Sequence, residues 1–443
     1  MPSSRRRTKE KKAPLEMVNN GNGIDALPDG VLQHILGYLP PRDAVGTSVL
    51  ARRWRHLWAS TTSLRIIDEG VEGMNRLREF VDHLLLLRGD ARIQTCVFWF
   101  GNIAAGFSDS DVLRVNIWFQ HAIRCQAREL QLVDRSHRSF FRLHDLPIVS
   151  RHLMELLLCG IELKGNSLNF SSCQALQQLD INNCNLSKAM RISSESLKRL
   201  TIIDCSFAKS FRTHIYAPSL VSLKLDDNWG NTPVLESMPL LVDASVRIAH
   251  ENVDSCGYCV SSGDCNVCHG YIRGNSSCVL LEGLSKAKKL ALIAESKTFI
   301  FKMDLQLQLC PIFSNLKTLL LSDYFCVAFN LRALSCILKH SPVLEKLTLQ
   351  LFSKGAKHDM EMRGIYGSEQ RSNAISEHLK VVEVKCEVVD RRVLRVLKLM
   401  CSFNICKLSN KTMHSFNISE VRFHLQKHER KQLCGGRKIW DDT

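Results

Sequence analysis

The sequence lacks any apolar run of about 18 residues, the length needed to span a bilayer, and its N-terminal region lacks a signal-peptide core. It also lacks a P-loop, a G-x-S-x-G elbow, an H-E-x-x-H motif and a kinase signature set. These absences predict a soluble, intracellular protein that does not contact a membrane and is not itself an enzyme.

Cysteine and positive charge, in contrast, are abundant. Without a secretory signal, the 18 cysteines are expected to be reduced thiols, buried side chains or metal ligands. The formal net charge of +15 raises nucleic-acid binding as a hypothesis, because lysine and arginine neutralise phosphates. The charge is dispersed, however, and no helix-turn-helix, RNA-recognition or zinc-finger signature accompanies it. Direct nucleic-acid binding is therefore not expected, and the basic surface suits acidic protein partners equally well.

The length of 443 residues allows two or three domains or one long repeat array. Residues 1–23 are basic and polar and cannot bury enough apolar surface to fold, so we predict a disordered tail there. Two interpretations of its basic cluster remain open, a nuclear import signal and a solvated tail. We expect the protein in the nucleus, the cytoplasm or both.

Residues 24–64 have the pattern of a small helical module. Five apolar residues recur at helical spacing between Pro28, which suits a first helical turn, and the pair Pro40-Pro41, which ends the helix. The residues that follow predict two more short helices separated by the basic run 52–53. Three helices in about forty residues form a very small core, so we expect the module to bury its remaining apolar surface elsewhere.

The string LP-x-x-x-L-x-x-I-L-x-x-L-P, followed by RDAV-x-TSVLARRWR-x-LW, resembles the F-box in the form found in plant F-box proteins with leucine-rich repeats. The resemblance implies that residues 24–64, hereafter the F-box module, dock onto a Skp-family adaptor and through it onto a cullin-RING ubiquitin ligase. The adaptor-binding residues it implies are Leu27, Pro28, Val31, Leu32, Ile35, Leu36, Leu39, Val49 and Trp54. Gly46 departs from the family pattern and predicts a frayed second helix, since glycine costs about 0.5–1 kcal/mol relative to alanine.

Alternating helices and strands follow the F-box module. The pattern predicts a helix that ends near Gly89, a strand over residues 92–100, a helix with Asp111 as its N-cap and a strand over residues 129–133.

The alternation then becomes a repeat of the form L-x-x-L-x-L-x-x-[NC]-x-L. Equivalent leucines are spaced 23, 21 and 23 residues apart, within the roughly 20–29 residues of leucine-rich repeats, at Leu156, Leu179, Leu200 and Leu223. Each L-x-L core predicts a short strand with buried leucines, and Cys184 and Cys205 are expected to be structural. Less regular copies continue to Val384.

The predicted fold class is α/β, with a small all-α three-helix F-box followed by an irregular leucine-rich-repeat solenoid. The solenoid is predicted over residues 65–374, with a Cys-rich insert at about 250–280. Residues 375–408 resemble the FBD-type segment that closes many of these plant proteins, and we expect a capping role for them. A further strand, over residues 418–425, and a basic tail are expected within residues 409–443.

The Cys-rich insert contains two C-x-x-C pairs, whose thiolates are a possible zinc site: Cys256, Cys259, Cys265 and Cys268. Two other interpretations remain open, a redox couple and a polar insertion whose cysteines have no role. No cofactor is expected apart from this zinc.

We therefore interpret the chain as the substrate-recognition subunit of a Skp-cullin-F-box ubiquitin ligase, with a protein target of unknown identity on the repeats. Two alternatives remain: an F-box scaffold without ligase activity, and a zinc-containing nucleic-acid-binding protein.

Overall fold

The computed structural model of the chain describes residues 23–68, 74–101, 108–135, 141–143, 148–163, 167–252, 280–294, 310–322, 331–351, 378–386 and 420–425. Several predictions concern residues outside these ranges: the N-terminal tail, the zinc ligands of the Cys-rich insert, the FBD-like residues after 386 and the basic C-terminal tail.

The helices, in chain order, are α1 (Asp29–Leu36), α2 (Pro41–Gly46), α3 (Met74–Arg88), α4 (Asp109–Arg124), α5 (Leu281–Leu284) and α6 (Leu331–Lys339). The strands are β1 (Ser63–Asp68), β2 (Thr95–Phe100), β3 (Glu129–Asp134), β4 (Phe141–Leu143), β5 (Glu155–Cys159), β6 (Ile161–Leu163), β7 (Ser167–Asn169), β8 (Gln178–Asn182), β9 (Asn185–Leu186), β10 (Arg191–Ser193), β11 (Arg199–Ile203), β12 (Ser206–Phe207), β13 (His214–Tyr216), β14 (Ser222–Gly230), β15 (Val234–Leu235), β16 (Asp243–Asn252), β17 (Lys289–Ala294), β18 (Thr318–Ser322), β19 (Lys346–Leu351), β20 (Val381–Cys386) and β21 (Glu420–Leu425).

The F-box module is less helical than predicted. After α1 and α2, the chain forms 3-10 turns at Thr47–Val49, Arg52–Arg55 and Trp58–Ser60. The predicted third helix is therefore wrong, because Ala51 is extended and His56 has φ −123°, so the backbone leaves the helical region on both sides of Arg52–Arg55. Gly46 is the last residue of α2, where its weak helix propensity does least harm.

The two longer helices begin and end at sequence signals. α3 ends immediately before Gly89, whose φ of +57° is the left-handed conformation favoured after a helix. α4 is capped by Ser108 and not, as predicted, by Asp111. The two residues form a capping box: the Ser108 hydroxyl accepts from the Asp111 amide, and the Asp111 carboxylate accepts from the Ser108 amide at 2.9 Å.

A large parallel sheet, hereafter the main sheet, dominates the described residues. Its strands pair in chain order: β1, β2, β3, β5, β8, β11, β14, β16, β17, β18, β19, β20 and β21. Leu156, Leu179, Leu200 and Leu223 are register partners across four of these strands, and all are buried. The predicted L-x-L strands are confirmed, and the fold is a mixed α/β fold.

Two further parallel sheets run beside the main sheet. β4, β6, β9, β12 and the end of β14 form one of them, and β7, β10, β13 and β15 form the other. Successive repeats between residues 155 and 235 thus place one short strand in each sheet. Stacking these strands buries the apolar side chains of each repeat against those of its neighbours.

The turn after each of the first repeat strands uses the left-handed conformation at one equivalent position, occupied by Gly160, Asn183, Asp204 and Asp227. At Gly160 (φ +73°), a Cβ atom would lie 1.9 Å from the carbonyl oxygen of Asp134, so only glycine fits. Asparagine and aspartate tolerate this conformation better than other residues with side chains. The turn directs the chain from the main sheet into the second sheet.

Candidate functional site

The F-box module presents an apolar surface on the outside of a small core. Leu32 and Leu36 of α1 are buried, and they pack in the same core as Trp54, Trp58 and the β1 strand. The neighbouring part of α1, the residues just after it and the turn after α2 expose several large apolar side chains: Val31, Ile35, Tyr38, Leu39, Val49 (87 % exposed) and Leu50 (69 % exposed). These six residues are hereafter the exposed F-box face.

The predicted adaptor-binding residues divide into two groups. Pro28, Val31, Ile35, Leu39 and Val49 are exposed, and Leu27 is half-buried. Leu32, Leu36 and Trp54 belong to the core instead. In the free chain their side chains hold the helices of the F-box module together and are not on its outer surface, and adaptor binding by the nine residues stays a prediction.

Two exposed residues of this face were not predicted. Tyr38 packs its ring edge-on against His34 at a centroid distance of 5.1 Å, and Leu50 follows Val49 at the end of a 3-10 turn. Leu50 stands beside Val49 in the sequence, so two adjacent apolar residues in a basic, polar stretch were a usable signal. Tyr38 lies seven residues after Val31 and three after Ile35, so helical spacing was a usable signal for it as well.

A guanidinium group fixes the start of α1. Arg53 donates to Asp29 Oδ1 from Nε at 2.8 Å and from Nη2 at 2.6 Å, and its Nη2 also donates to the carbonyl oxygen of Leu27. The arginine lies in the second 3-10 turn after α2, so it connects that turn to the start of α1. The side chains are partly solvated, and the contribution to stability is about 1 kcal/mol or less.

A second, buried arginine attaches the F-box module to α3. Arg88 is 6 % exposed; its Nη1 donates to Thr61 Oγ1 at 2.8 Å and to the Trp58 carbonyl at 3.1 Å, and its Nη2 donates to the Thr61 carbonyl at 2.7 Å. Burial lowers the pKa of this guanidinium below its ordinary value. Two of these hydrogen bonds satisfy backbone carbonyls and one satisfies a side-chain hydroxyl, so the F-box module and α3 share one packed joint.

The main sheet has an open face opposite its buried leucines. Register partners along its middle alternate with the buried positions and are half-buried or exposed: Leu157, Asp180, Thr201, Lys224, Ser245, Ala291 and Leu320. These seven residues, hereafter the central row, include apolar, hydroxyl and charged side chains of both signs. Such a mixed and continuous surface suits contact with another protein.

Ion pairs join neighbouring strands of the main sheet, one on the open face and others where the strands begin. Arg247 lies 2.8 Å from Asp226, and Glu345 pairs with Lys317 at 2.9 Å and with Lys380 at 3.4 Å. These lysines lower the pKa of the Glu345 carboxyl. Lysine and arginine side chains at this face are therefore partly neutralised by acidic neighbours, which further weakens the nucleic-acid hypothesis.

The cysteines of the repeats are structural, as predicted. The Cys184 amide donates to Cys205 Sγ at 3.4 Å, and the Cys205 amide donates to Asn228 Oδ1 at 3.0 Å. Cys184 and Cys205 also donate to the carbonyl oxygens of Leu158 and Ile181. Burial raises the pKa of the Cys184 thiol, so it stays protonated and suits this donor role.

The predicted zinc ligands Cys256, Cys259, Cys265 and Cys268 lie outside the described residues, and the zinc hypothesis for them stays a prediction. Among the helices that the structure does describe, none has the length and apolar character required to cross a membrane.

Comparison with known proteins identifies the N-terminal module. Residues 24–65 match the F-box domain family. F-box domains typically bind Skp-type adaptors, and F-box proteins are generally subunits of Skp-cullin-F-box ubiquitin ligases that recruit substrates and do not catalyse the transfer.

Relatives from Arabidopsis thaliana extend the similarity beyond this domain. F-box/FBD/LRR-repeat protein At5g22700 is 27 % identical over 76 % of this chain and 80 % of its own length. F-box/FBD/LRR-repeat protein At5g22660 is 24 % identical over 82 % of both chains. F-box/LRR-repeat protein 13 is 26 % identical over 51 % of this chain and 56 % of its own length. The chain thus contains an F-box domain and is similar over most of its length to plant F-box proteins with leucine-rich repeats and an FBD-like segment.

Proposed function

We propose that this chain is the substrate-recognition subunit of a Skp-cullin-F-box ubiquitin ligase. The observation that carries the proposal is the exposed F-box face, where Val31, Ile35, Leu39 and Val49 stand in solvent above a well-packed core. A cluster of large apolar side chains on a small module marks a protein-binding surface. For an F-box domain, the partner to expect is a Skp-type adaptor.

The hydrogen bonds of Arg88 support the proposed role of a receptor that holds its target in a fixed position relative to the ligase. A receptor subunit accelerates ubiquitin transfer by holding its target at a fixed distance from the ligase, which raises the effective concentration of target lysines. Three hydrogen bonds from the buried Arg88 guanidinium connect α3 to the F-box module and support a fixed position of the module on the rest of the chain. The chain contributes proximity, and its partners contribute catalysis.

We propose further that the repeats form a curved leucine-rich-repeat solenoid over residues 65–374, capped by the FBD-like segment, and that the open face of the main sheet binds the target. The continuous register from β1 to β20 and the mixed chemistry of the central row support this assignment. The complex is expected in the nucleus, the cytoplasm or both.

The test is affinity purification of the tagged full chain from plant cells beside the double variant Ile35→Asp, Val49→Asp. The double variant is preferable to deletion of residues 24–64, because deletion would remove Thr61, to which Arg88 donates, and expose the core. We expect mass spectrometry to recover adaptor and cullin with the parent chain and not with the variant. Equal recovery of both partners by the two chains would contradict the proposal.

The same pair of chains separates a ligase receptor from a scaffold without ligase activity. Proteins recovered with both chains are candidate targets, since the substitutions leave the repeats unchanged. In the receptor account, these targets accumulate in cells when the double variant replaces the parent chain. Target levels that do not respond would favour the scaffold.

A further inference from the structure

Two cysteines and one histidine meet in the C-terminal half of the described chain, outside the Cys-rich insert. Cys310 is buried in the segment before β18, and Cys336 and His340 are half-buried at the end of α6. The Sγ atoms of both cysteines and a ring nitrogen of His340 all lie within 4.8 Å of one another. Thiolate sulfur and imidazole nitrogen are the ligands that zinc prefers in proteins.

The fold builds this cluster from two separate elements. Cys336 and His340 are four residues apart and therefore lie on one face at the end of α6, where the His340 amide donates to the Cys336 carbonyl at 3.1 Å. The Phe313 amide donates to the His340 carbonyl at 2.8 Å, and the buried Phe313 ring anchors the segment that carries Cys310. Each ligand is thus held in place by packing and by backbone hydrogen bonds.

The spacing of the ligand atoms fits tetrahedral zinc. Zn–S bonds of about 2.3 Å and Zn–N bonds of about 2.0 Å give S···N separations of roughly 3.5 Å and S···S separations of roughly 3.8 Å. Cys336 Sγ lies 3.7 Å from His340 Nδ1. The carboxyl end of α6 also favours a cation, because the helix dipole is negative there. Coordination through Nδ1 would replace the contact of this atom with the Cys336 carbonyl, at 2.8 Å.

Among the described residues, Cys310, Cys336 and His340 are the only group of three cysteine, histidine or carboxylate side chains whose ligand atoms lie this close together. Zinc binds cysteine as the thiolate, so binding of the ion would release the thiol protons. Cys159, at the end of β5, belongs to no such group and serves as a control.

We propose that Cys310, Cys336 and His340 bind one zinc ion, with a water molecule as the fourth ligand. The ion would join the end of α6 to the segment before β18 and so stabilise the repeat that contains them. This site is independent of the F-box face and of any partner bound there.

The test uses the full chain in a background in which Cys256, Cys259, Cys265 and Cys268 are serine, so that the insert contributes no thiolates. We expect this background protein, purified under reducing conditions, to contain one zinc ion per chain by mass spectrometry of the metal. Replacement by Co²⁺ should give thiolate-to-metal charge-transfer absorption and the intense visible bands of a tetrahedral site. Cys336→Ser and His340→Ala are each expected to lower zinc content at least severalfold, whereas the control Cys159→Ser leaves it unchanged.

A second measurement uses the background protein alone, so its result does not depend on whether the variants fold. In the background protein, removal of zinc with a chelator should lower the melting temperature, and addition of zinc should restore it. Three results would overturn the proposal: no zinc and no cobalt bands in the background protein, a full zinc complement in the variant that lacks both Cys336 and His340, or a Cys310–Cys336 disulfide in protein purified under mild anaerobic conditions.

Discussion

Leu32 and Ile35 lie one turn apart on α1, yet Leu32 is fully buried while the Ile35 side chain is 38 % exposed. Leu32 therefore holds the F-box module together, and Ile35 belongs to the exposed F-box face. We therefore expect substitution of Leu32 to affect folding of the module and substitution of Ile35 to affect adaptor binding. Both residues nevertheless lie in one apolar stripe of the sequence.

The first prediction concerns stability at these two positions. Leu32→Ala should lower the free energy of unfolding by about 2–5 kcal/mol, because it leaves a cavity in a small core. Ile35→Ala should change it by less than about 1 kcal/mol. The buried indoles of Trp54 and Trp58 allow urea unfolding of this module to be followed by fluorescence. Equal losses for the two variants would show that the assigned burial is wrong.

The second prediction concerns the joint between the F-box module and α3. Arg88→Met should lower the free energy of unfolding by about 2–4 kcal/mol, because the buried carbonyls of Thr61 and Trp58 lose their donors. Arg124→Met is the matched control: its side chain is 74 % exposed and pairs with a solvated Asp90, so the expected change is below about 1 kcal/mol. Denaturant titration of both variants measures the difference.

The third prediction concerns the hydrogen bonds that join Cys184, Cys205 and Asn228 in successive repeats. Asn228 accepts from the Cys205 amide and donates to the Ile202 carbonyl at 3.0 Å. Asn228→Ala should cost about 1–3 kcal/mol, since both buried groups lose their partner. Asn228→Cys should cost less, because Cys205 and Cys184 fill this role one and two repeats earlier. Thermal and urea unfolding measure the stability of the two variants. A smaller loss of stability for Asn228→Ala than for Asn228→Cys would be inconsistent with this role of Asn228.

The fourth prediction concerns pH. Glu383 is buried and lies 3.0 Å from Lys346 Nζ; burial alone would raise the pKa of its carboxyl, but Lys346 and Lys385 outweigh burial and hold it below its ordinary value of 4.5. A carboxyl whose pKa is lowered by folding stabilises the protein above its unfolded pKa, and this stabilisation is lost as the pH falls through the folded pKa.

The parent chain should therefore be more stable than Glu383→Gln at pH 7, and the difference should shrink as the pH falls below about 4.5. Denaturation midpoints measured across that interval give the profile. Glu155→Gln, at an exposed site on the same sheet, should reproduce the parent profile. A difference between parent and Glu383→Gln that persists unchanged into acid would contradict the assigned shift.

The fifth prediction concerns the open face of the main sheet. Thr201→Arg together with Ser245→Arg adds bulk and charge to the central row without disturbing buried leucines, so targets recovered in affinity purification should be lost while the adaptor is retained. Met190→Arg is the control, since Met190 is 53 % exposed beside β10, away from the main sheet. Loss of the same proteins with the control would place the target elsewhere.

Local pattern was sufficient to predict most strands of the main sheet, although β1 was not among them. The L-x-L cores encode both the strand and its buried side, because side chains alternate across a strand and one face is packed. The end of α3 was equally visible, since Gly89 adopts a conformation that favours glycine. Strands of two or three residues in the other sheets, such as β9 and β12, carry no periodic signal and could not be predicted.

The face of α1 that is buried depends on tertiary contacts and was harder to predict. Val31, Leu32, Ile35 and Leu36 form one broad apolar stripe, and only packing against β1 and the 3-10 turns determines that Leu32 and Leu36 are inside. The cluster around Cys336 was invisible for a similar reason. Its third member, Cys310, is 26 residues away along the chain, and only the docking of α6 brings it near.

Adaptor binding by the exposed F-box face is tested most directly by calorimetry, which measures the affinity of the purified chain for a purified Skp-type adaptor. We expect the parent chain to form a specific complex. Ile35→Asp or Val49→Asp should raise the dissociation constant at least about tenfold. Ile117→Asp, at an apolar and exposed position on α4, should leave it unchanged. Adaptor binding that is unaffected by substitutions on the exposed F-box face, or equally weakened by Ile117→Asp, would contradict this expectation.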